Sequence, residues 1–270
     1  MSTHEKIVAD FIKKCIPTDS PDFYDHPNFV AAEQKDPKYL NNYAFYVASR
    51  PYSAEYLDNA RTKISNISKI LCAQLKENGR QGACVDITGI LARILEKEGI
   101  WCACIKGSCT INFPSESGEE TNYFYSVDSG NFVAGHAWLY APPFDVVDLT
   151  IHHQAYSGNK KAYIPEFVIA ESARNGKYCA QDVVSPEVAL HMRMSGIRPS
   201  DILKVSAGGI DVVQKHFPTK EVDGIRGAQI KYVPVAIHAS IEKLEGMGNM
   251  SFNGKKPHEM YEHHIVGKFA

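Results

Sequence analysis

Cys84 and the residues that follow it have the types and spacing of a cysteine nucleophile. Apolar residues at helical intervals come directly after it: Ile87, Ile90, Leu91, Ile94 and Leu95. Because Gly99 stands where a C-terminal glycine cap belongs, we expect Cys84 in the first turn of a helix. The helix dipole and the free N–H groups there stabilise a thiolate, and the same groups can receive the oxyanion formed when a thiolate attacks a carbonyl. The pattern therefore predicts a thiolate nucleophile at Cys84.

A cysteine nucleophile also needs a base, and the base needs a group that orients it. Two β-rich runs flank residues 141–143, Ala-Pro-Pro, which predicts a hairpin with a short loop. If the turn centres on Pro142, His136 faces Asp148 directly, with Cβ atoms about 5 Å apart. A shift of one residue would put them on opposite faces. His136 is the predicted base and Asp148 the orienting carboxylate; Asp145, of opposite parity and nearer the turn, ranks second.

Side chains beside these residues are candidates for substrate binding. Trp138 and Tyr140 share the strand face of the predicted base and could form one wall of a cleft. Gln81 precedes the nucleophile, so its amide could contact a substrate or donate to the oxyanion. Gln74 and Asn78 are alternatives as the second oxyanion donor, and the sequence does not choose among the three amides.

Three separated pieces of the sequence together resemble the core of the transglutaminase-like superfamily. They are Gln81-Gly82-Ala83-Cys84-Val85-Asp86 with Leu91, Leu95 and Gly99-Ile100, then Gly135-His136-Ala137-Trp138-Leu139, then Val147-Asp148-Leu149-Thr150. That superfamily shows a G-x-C at a helix start, a Gly-Ile helix exit, an H-A-W strand, and an aspartate followed within two positions by threonine. The pieces cover roughly a quarter of the chain, and their shared order is far more specific than any one piece.

The resemblance implies a papain-like α+β fold, no metal or other cofactor, and a catalytic triad of Cys84, His136 and Asp148. It implies covalent chemistry on amide or acyl bonds through a thioester. Hydrolysis or deamidation, as in a peptidase or amidase, is the first choice, and transfer to an amine is the second. No aromatic follows Cys84, where many crosslinking transglutaminases have one. Residues 80–84 are also similar to arylamine N-acetyltransferases, except that Gln81 replaces a glycine. A non-catalytic binding module on the same fold is the remaining alternative.

The order of predicted elements, helices followed by antiparallel strands, indicates an α+β fold. We divide the chain into a helical N-terminal region (1–70), a transglutaminase-like catalytic core (71–156) and a C-terminal α+β extension packed on the core (157–270). Helices are predicted over 2–16, 53–78 with a stop at Asn78-Gly79, and 185–194, and strands over 100–105, 123–127, 132–140, 144–151 and 230–239. The stretch 246–257 is predicted to be loose and exposed.

The composition of the chain limits the classes of partner that we expect it to bind. The 270 residues are 44% apolar and 22% charged, which is ordinary globular usage, and the formal net charge of −2 favours no nucleic-acid partner. No apolar run is long enough to span a membrane, and the N-terminal residues lack a signal-peptide pattern. We therefore expect a cytoplasmic protein that acts on a peptide, protein or small amide substrate, with its oligomeric state left open. The 7 cysteines are expected to be reduced, with Cys102, Cys104 and Cys109 in the core rather than on zinc.

Overall fold

The chain has an α+β fold in which helices pack on one antiparallel sheet. The computed structural model describes residues 2–78, 81–129, 135–240, 242–248 and 250–268. The helices are α1 (Thr3–Lys13), α2 (Pro27–Lys35), α3 (Leu40–Ser49), α4 (Ala54–Asn78), α5 (Cys84–Lys97), α6 (Ala180–Val183), α7 (Pro186–Met194), α8 (Ile202–Ser206), α9 (Ile210–His216) and α10 (Pro257–His264). The strands are β1 (Ala103–Asn112), β2 (Asn122–Phe124), β3 (His136–Ala141), β4 (Phe144–Asp148), β5 (Val168–Ala170), β6 (Arg174–Asn175), β7 (Lys220–Asp223) and β8 (Gln229–His238).

The C-terminal region supplies a central strand of the sheet. The strand order is β5-β4-β3-β1-β8-β7-β6, with β2 paired to β1 at one end. All pairings between these strands are antiparallel within the described residues. Strand β8 pairs with β1 from Gln229 to His238, so residues far apart in sequence share one hydrogen-bonded sheet.

The two faces of the sheet carry separate apolar layers. Leu139 of β3 and Val147 of β4 pack in one layer with the apolar side of α5 and residues of α4. Trp138 lies on the other face, in a layer that includes the buried aromatic residues of the N-terminal helices. This division follows from the strand period of two, which points neighbouring side chains to opposite faces.

The helix boundaries agree closely with the sequence pattern. Ser2 caps α1 through the predicted capping box with Glu5, although the helix ends at Lys13 rather than residue 16. The predicted stop of α4 is correct at Asn78, while Gly79 lies outside the described residues. Helix α5 begins at Cys84 as predicted. Gly99 follows its end with φ of 75°, the left-handed conformation that glycine adopts at helix ends.

Four strand predictions need correction. The strand predicted over 123–127 ends at Phe124, and the one predicted over 144–151 ends at Asp148, whose carboxylate accepts from the Thr150 and Ile151 N–H groups. The strand predicted over 100–105 starts later, at Ala103, because the N–H groups before it are used elsewhere: Ile100 donates to Leu95 O and Trp101 to the Tyr56 hydroxyl. It continues to Asn112 through small polar residues that sequence reasoning took as the end of the strand. The strand predicted over 132–140 begins at His136 within the described residues, and positions 132–134 lie outside them.

The prediction of a loose, exposed tail over 246–257 is correct for Gly246, Gly248, Gly254 and Lys256, which are exposed, and wrong for the apolar residues between them. Met247, Met250 and Phe252 are buried in the layer that contains α4 and α5, and α10 buries Met260 in the same place. These apolar residues are irregularly spaced between glycines, so no helical or strand period shows them in the sequence. None of the helices in the described ranges has both the length and the apolar character that crossing a bilayer requires.

Candidate active site

The first turn of α5 holds the Cys84 thiol at the edge of the sheet. Cys84 is the first residue of the helix, and Ala83 is its N-cap. The preceding loop turns at Gly82, with φ of 69°, and the Gly82 N–H donates to His153 O over 3.1 Å. The backbone N–H groups of a first helical turn have no partner within the helix. Cys84 is 8% exposed, so its thiol lies at the edge of the core, at the helix end that carries these N–H groups.

The imidazole of His136 lies between this thiol and a carboxylate. His136 Nε2 is 2.6 Å from Asp148 Oδ2, and both side chains are fully buried. Since Asp148 occupies Nε2, Nδ1 is the nitrogen left for the thiol, which interacts with the ring. Nδ1 is buried and makes no close hydrogen bond within the described residues. When no substrate is bound, the distance between a nucleophile and its base is often longer than that of an ordinary hydrogen bond. The three predicted triad residues are thus brought together.

The carboxylate of Asp148 is held by donors on both oxygens. Oδ1 accepts from the Thr150 N–H at 2.9 Å, the Thr150 hydroxyl at 3.0 Å and the Ile151 N–H at 3.1 Å. Oδ2 accepts from His136 and from the Tyr232 hydroxyl at 3.0 Å. A buried carboxylate with this many donors stays ionised and cannot rotate away from the imidazole.

The charges of the three groups favour a thiolate beside an imidazolium. Burial raises the pKa of the Cys84 thiol, but the nearby imidazole of His136 and its positive charge outweigh burial, so the pKa is lowered. Burial lowers the pKa of His136, yet the charge of Asp148 and the contact with the thiol raise it to about 10. Burial raises the pKa of Asp148, and His136 together with the Thr150 and Tyr232 donors brings it below its usual value. These shifts favour the thiolate form of Cys84 next to a protonated His136.

The hairpin register differs from the prediction. Leu139 pairs with Val147 and Ala141 with Phe144, with an irregularity between these pairs. At Leu139 the register is displaced by two residues from the predicted one, in which it would face Asp145. The prediction that His136 lies directly opposite Asp148 is therefore wrong. A displacement of two preserves the face on which each side chain lies, so the contact forms diagonally.

The second-ranked carboxylate, Asp145, has other partners. Its Oδ2 accepts from the Ala173 N–H at 3.2 Å and lies 3.0 Å from Lys220 Nζ. It also lines a small cavity with Tyr140, away from the thiol. Asp148 is the carboxylate that the structure pairs with His136.

The predicted substrate-binding residues lie in two places: Trp138 and Tyr140 border the same small cavity, and Gln81 borders another. Trp138 is 2% exposed and packs behind the imidazole, with ring centroids 6.3 Å from His136 and 5.1 Å from Tyr232. Tyr140 is half-buried one pleat farther along, against Phe217. Gln81 is exposed and lines a cavity beside the nucleophile loop. A role for each in substrate binding stays a prediction.

The predicted oxyanion amides are mostly engaged elsewhere. Asn78 Nδ2 donates to Ser251 O over 2.9 Å, and Gln74 Nε2 lies 3.5 Å from a Glu77 carboxylate oxygen. Of the three amides considered, only Gln81 lines a cavity next to the site. The backbone N–H of Ala137, which sequence reasoning did not consider, interacts with the Cys84 sulfur and lowers its pKa.

Two further residues of the site were missed. Tyr232 comes from β8, and a buried tyrosine in a predicted strand signals a hydrogen-bond partner without naming it. Gly107 of β1 pairs with His136 of β3 and leaves room for the Trp138 ring. A Cβ at Gly107 would stand 2.1 Å from Val233 O and 2.7 Å from the Trp138 ring.

Two cavities lie near the start of α5, and neither is lined by Cys84, His136 or Asp148. The larger, about 580 Å³, runs beside Val85 and Asp86 of α5 and is lined opposite them by His238, Ser240 and Met247. The smaller, about 200 Å³, lies at Gln81. Both cavities are bordered by residues within three positions of Cys84 along the chain.

Three cysteines were weighed in the sequence as core residues against zinc ligands. Cys102, Cys104 and Cys109 are buried free thiols, which confirms them as core residues. No group of three or more His, Cys, Asp or Glu in the described part of the chain is arranged to hold a metal ion.

No protein-family model, curated protein or solved structure matches this chain. The geometry of the site itself is therefore the basis for its chemistry.

Proposed function

We propose that this chain is a transglutaminase-like cysteine enzyme that acts on amide or related acyl bonds through a thioester. The observation that carries the proposal is the His136 imidazole, fixed 2.6 Å from Asp148 through Nε2 with Nδ1 left for the thiol of Cys84. A helix-start cysteine packed on an antiparallel sheet supports the papain-like form of the α+β fold. The sequence motifs of the superfamily coincide with the residues that meet at this site.

The proposed reaction has two halves. The Cys84 thiolate bonds to the acyl carbon, and the carbonyl electron pair moves onto oxygen, where N–H groups in the first turn of α5 receive it. When the oxyanion collapses, the C–N bond breaks and the amine leaves with the proton of His136 Nδ1. Water then gives a proton to Nδ1 and attacks the thioester, and the thiolate leaves to restore the ion pair. Asp148 keeps the imidazole in one orientation throughout.

Hydrolysis or deamidation is the primary proposal because water is its only co-substrate. Transfer to an amine is the second candidate, and the cavity of about 580 Å³ beside Val85 and Asp86 favours it, since an amine acceptor needs its own place next to the thioester. The substrate class is a peptide, a protein or a small amide. The chain's free cysteines support a cytoplasmic location, where thiols stay reduced.

The deciding experiment is the pH dependence of alkylation by iodoacetamide, resolved to each cysteine by mass spectrometry. Cys15 and Cys179 are exposed free thiols and provide references within the same molecule. A free thiol has a pKa of about 8.5. We expect Cys84 to react at a pH well below this value and to lose that reactivity in His136→Ala. An unreactive Cys84, or one that titrates like the reference thiols, would contradict the enzyme and favour a binding module.

The reaction class can be separated in the same preparation. Incubation with a glutamine-rich protein and a fluorescent primary amine should give ammonia in either case, and covalent fluorescence only if transfer occurs. New peptide termini would instead show peptidase activity. Cys84→Ala serves as the inactive control.

A further inference from the structure

A polar cavity adjoins the loop that leads into the nucleophile. Its volume is about 200 Å³. It lies where α4, the nucleophile loop and the chain after β4 meet, and its polar lining residues are Lys76, Gln81, His152, His153, Lys161 and Glu166.

This cavity is connected to the proposed triad through the backbone. Gln81 stands three positions before Cys84, and the next residue, Gly82, donates its N–H to His153 O over 3.1 Å. His153 in turn follows Asp148 by one short helical turn, and the charge of Asp148 acts on its imidazole. The cavity therefore borders the loop that positions the proposed nucleophile.

The lining has a surplus of positive charge. Lys76 is paired with Glu166 at 2.7 Å, so these two charges offset each other. Lys161 has no carboxylate within salt-bridge distance among the described residues, and it lies close enough to His153 to lower the pKa of that imidazole, after the larger effects of burial and His152. The amide of Gln81 adds a neutral donor. Two lysines against one glutamate suit a singly charged anion.

We propose that this cavity is a subsite for a carboxylate of the acyl substrate, bound by Lys161 and Gln81. The inference rests on the proposed function and adds the substrate class: a peptide or amide that carries an acidic group next to the bond attacked by Cys84. The carboxylate can belong to an acidic side chain or to a chain terminus, since both present the same planar acceptor to a lysine.

Three chloroacetyl probes test the subsite without knowledge of the substrate. N-chloroacetyl-isoglutamine carries a side-chain carboxylate, N-chloroacetyl-glutamine carries an α-carboxylate, and N-chloroacetyl-glutaminamide is neutral and of similar size. In each case the Cys84 thiolate displaces chloride and forms a C–S bond. The second-order rate of each probe at Cys84 is measured by mass spectrometry at pH 7, and the ratio of charged to neutral rates is the readout.

We expect one charged probe to react about fivefold faster than the neutral one, and its identity names the source of the carboxylate. In Lys161→Gln this ratio should fall to near one, and in the wild type it should shrink at high salt. The matched control is Lys177→Gln, which removes an exposed lysine after β6, at the opposite edge of the sheet from β5, and should keep the wild-type ratio.

The outcomes separate the two proposals. Equal rates for the three probes, or a ratio that Lys161→Gln leaves unchanged, overturn the carboxylate subsite while the activated thiol stands. A Cys84 that reacts with the neutral probe no faster than Cys179 overturns the proposed function instead.

Discussion

Tyr232 donates its hydroxyl to Oδ2 of Asp148 over 3.0 Å, the same oxygen that holds the imidazole of His136. Tyr232 lies on β8 and is fully buried, 84 positions after the carboxylate that it contacts. The C-terminal region therefore takes part in the geometry of the site, because one of its strands fixes the carboxylate that fixes the base.

Tyr232→Phe should weaken activation of the thiol. Removing the hydroxyl takes one donor from a buried carboxylate, so the pKa of Asp148 rises and the carboxylate is held less firmly in line with the imidazole of His136. The pKa of Cys84 should then rise toward that of an ordinary thiol, as measured by the pH profile of its alkylation. The free energy of unfolding should fall by about 1.5–3 kcal/mol, the usual contribution of a hydrogen bond to a charged group.

The control for this substitution is Tyr52→Phe. Tyr52 donates to Val47 O over 2.8 Å and has no contact with the triad, so its loss should reduce stability without moving the alkylation profile. A profile that shifts equally in both variants would show a general loosening of the fold rather than a role at Asp148.

Asp148→Asn should lower catalytic activity by a factor on the order of 10³ to 10⁴, because the imidazole loses the charge that stabilises its protonated form. The active pH range should also narrow. In the wild type, activity should rise as Cys84 ionises at its lowered pKa. It should fall as His136 loses its proton, at a pKa of about 10. Without the carboxylate charge the alkaline limb should move to lower pH, which a pH–rate profile measures. An unchanged alkaline limb would count against His136 as the acid.

Stability should fall when the pH rises through the pKa of His136. A group whose pKa is higher in the folded than in the unfolded chain stabilises the fold fully below the unfolded value, and that stabilisation disappears above the folded value. For His136 the loss should be complete above about pH 10. Urea midpoints between pH 7 and 10.5 should decrease more in the wild type than in His136→Gln, which has no titrating imidazole. Parallel decreases would contradict the raised pKa.

Gly107→Ala should be strongly destabilising. Its Cβ would meet Val233 O at 2.1 Å and the Trp138 ring at 2.7 Å, and a backbone oxygen in the sheet cannot easily move. We expect a loss of about 1–3 kcal/mol or more in the free energy of unfolding, from chemical denaturation. Gly209→Ala is the matched control, since no atom outside its neighbours lies within 4 Å of the added Cβ. A Gly107→Ala protein as stable as that control would contradict the described packing.

Phe252→Ala tests whether the C-terminal segment is part of the core. Phe252 is 0% exposed in the layer that also contains α4 and α5, so its truncation should cost about 3–5 kcal/mol. Val266→Ala, at a residue that is 50% exposed, should change the free energy of unfolding by less than about 0.5 kcal/mol. A small effect at Phe252 would mean that the segment does not stay packed on the helices in solution.

Local sequence patterns were sufficient to place Cys84 at the start of a helix and to pair His136 with Asp148. The start of α5 at Cys84 depends on a short apolar period and a glycine cap, both of which act within a few residues. The choice of Asp148 over Asp145 needed only the parity of a hairpin, so it survived an error of two residues in register. The irregularity between Leu139 and Ala141 that caused this error depends on packing, which the Ala-Pro-Pro turn does not encode.

The partners of β8 were decided by tertiary structure alone. The strand itself was visible at 230–239, but its insertion between β1 and β7 depends on long-range pairing, for which no local residue pattern is specific. The contact from Tyr232 to Asp148, the burial of Phe252 and the cavity at Gln81 all follow from that pairing and from the packing of distant segments. The sequence by itself thus determined which residues can do the chemistry, while the tertiary structure decided what holds them in place and what charge surrounds them.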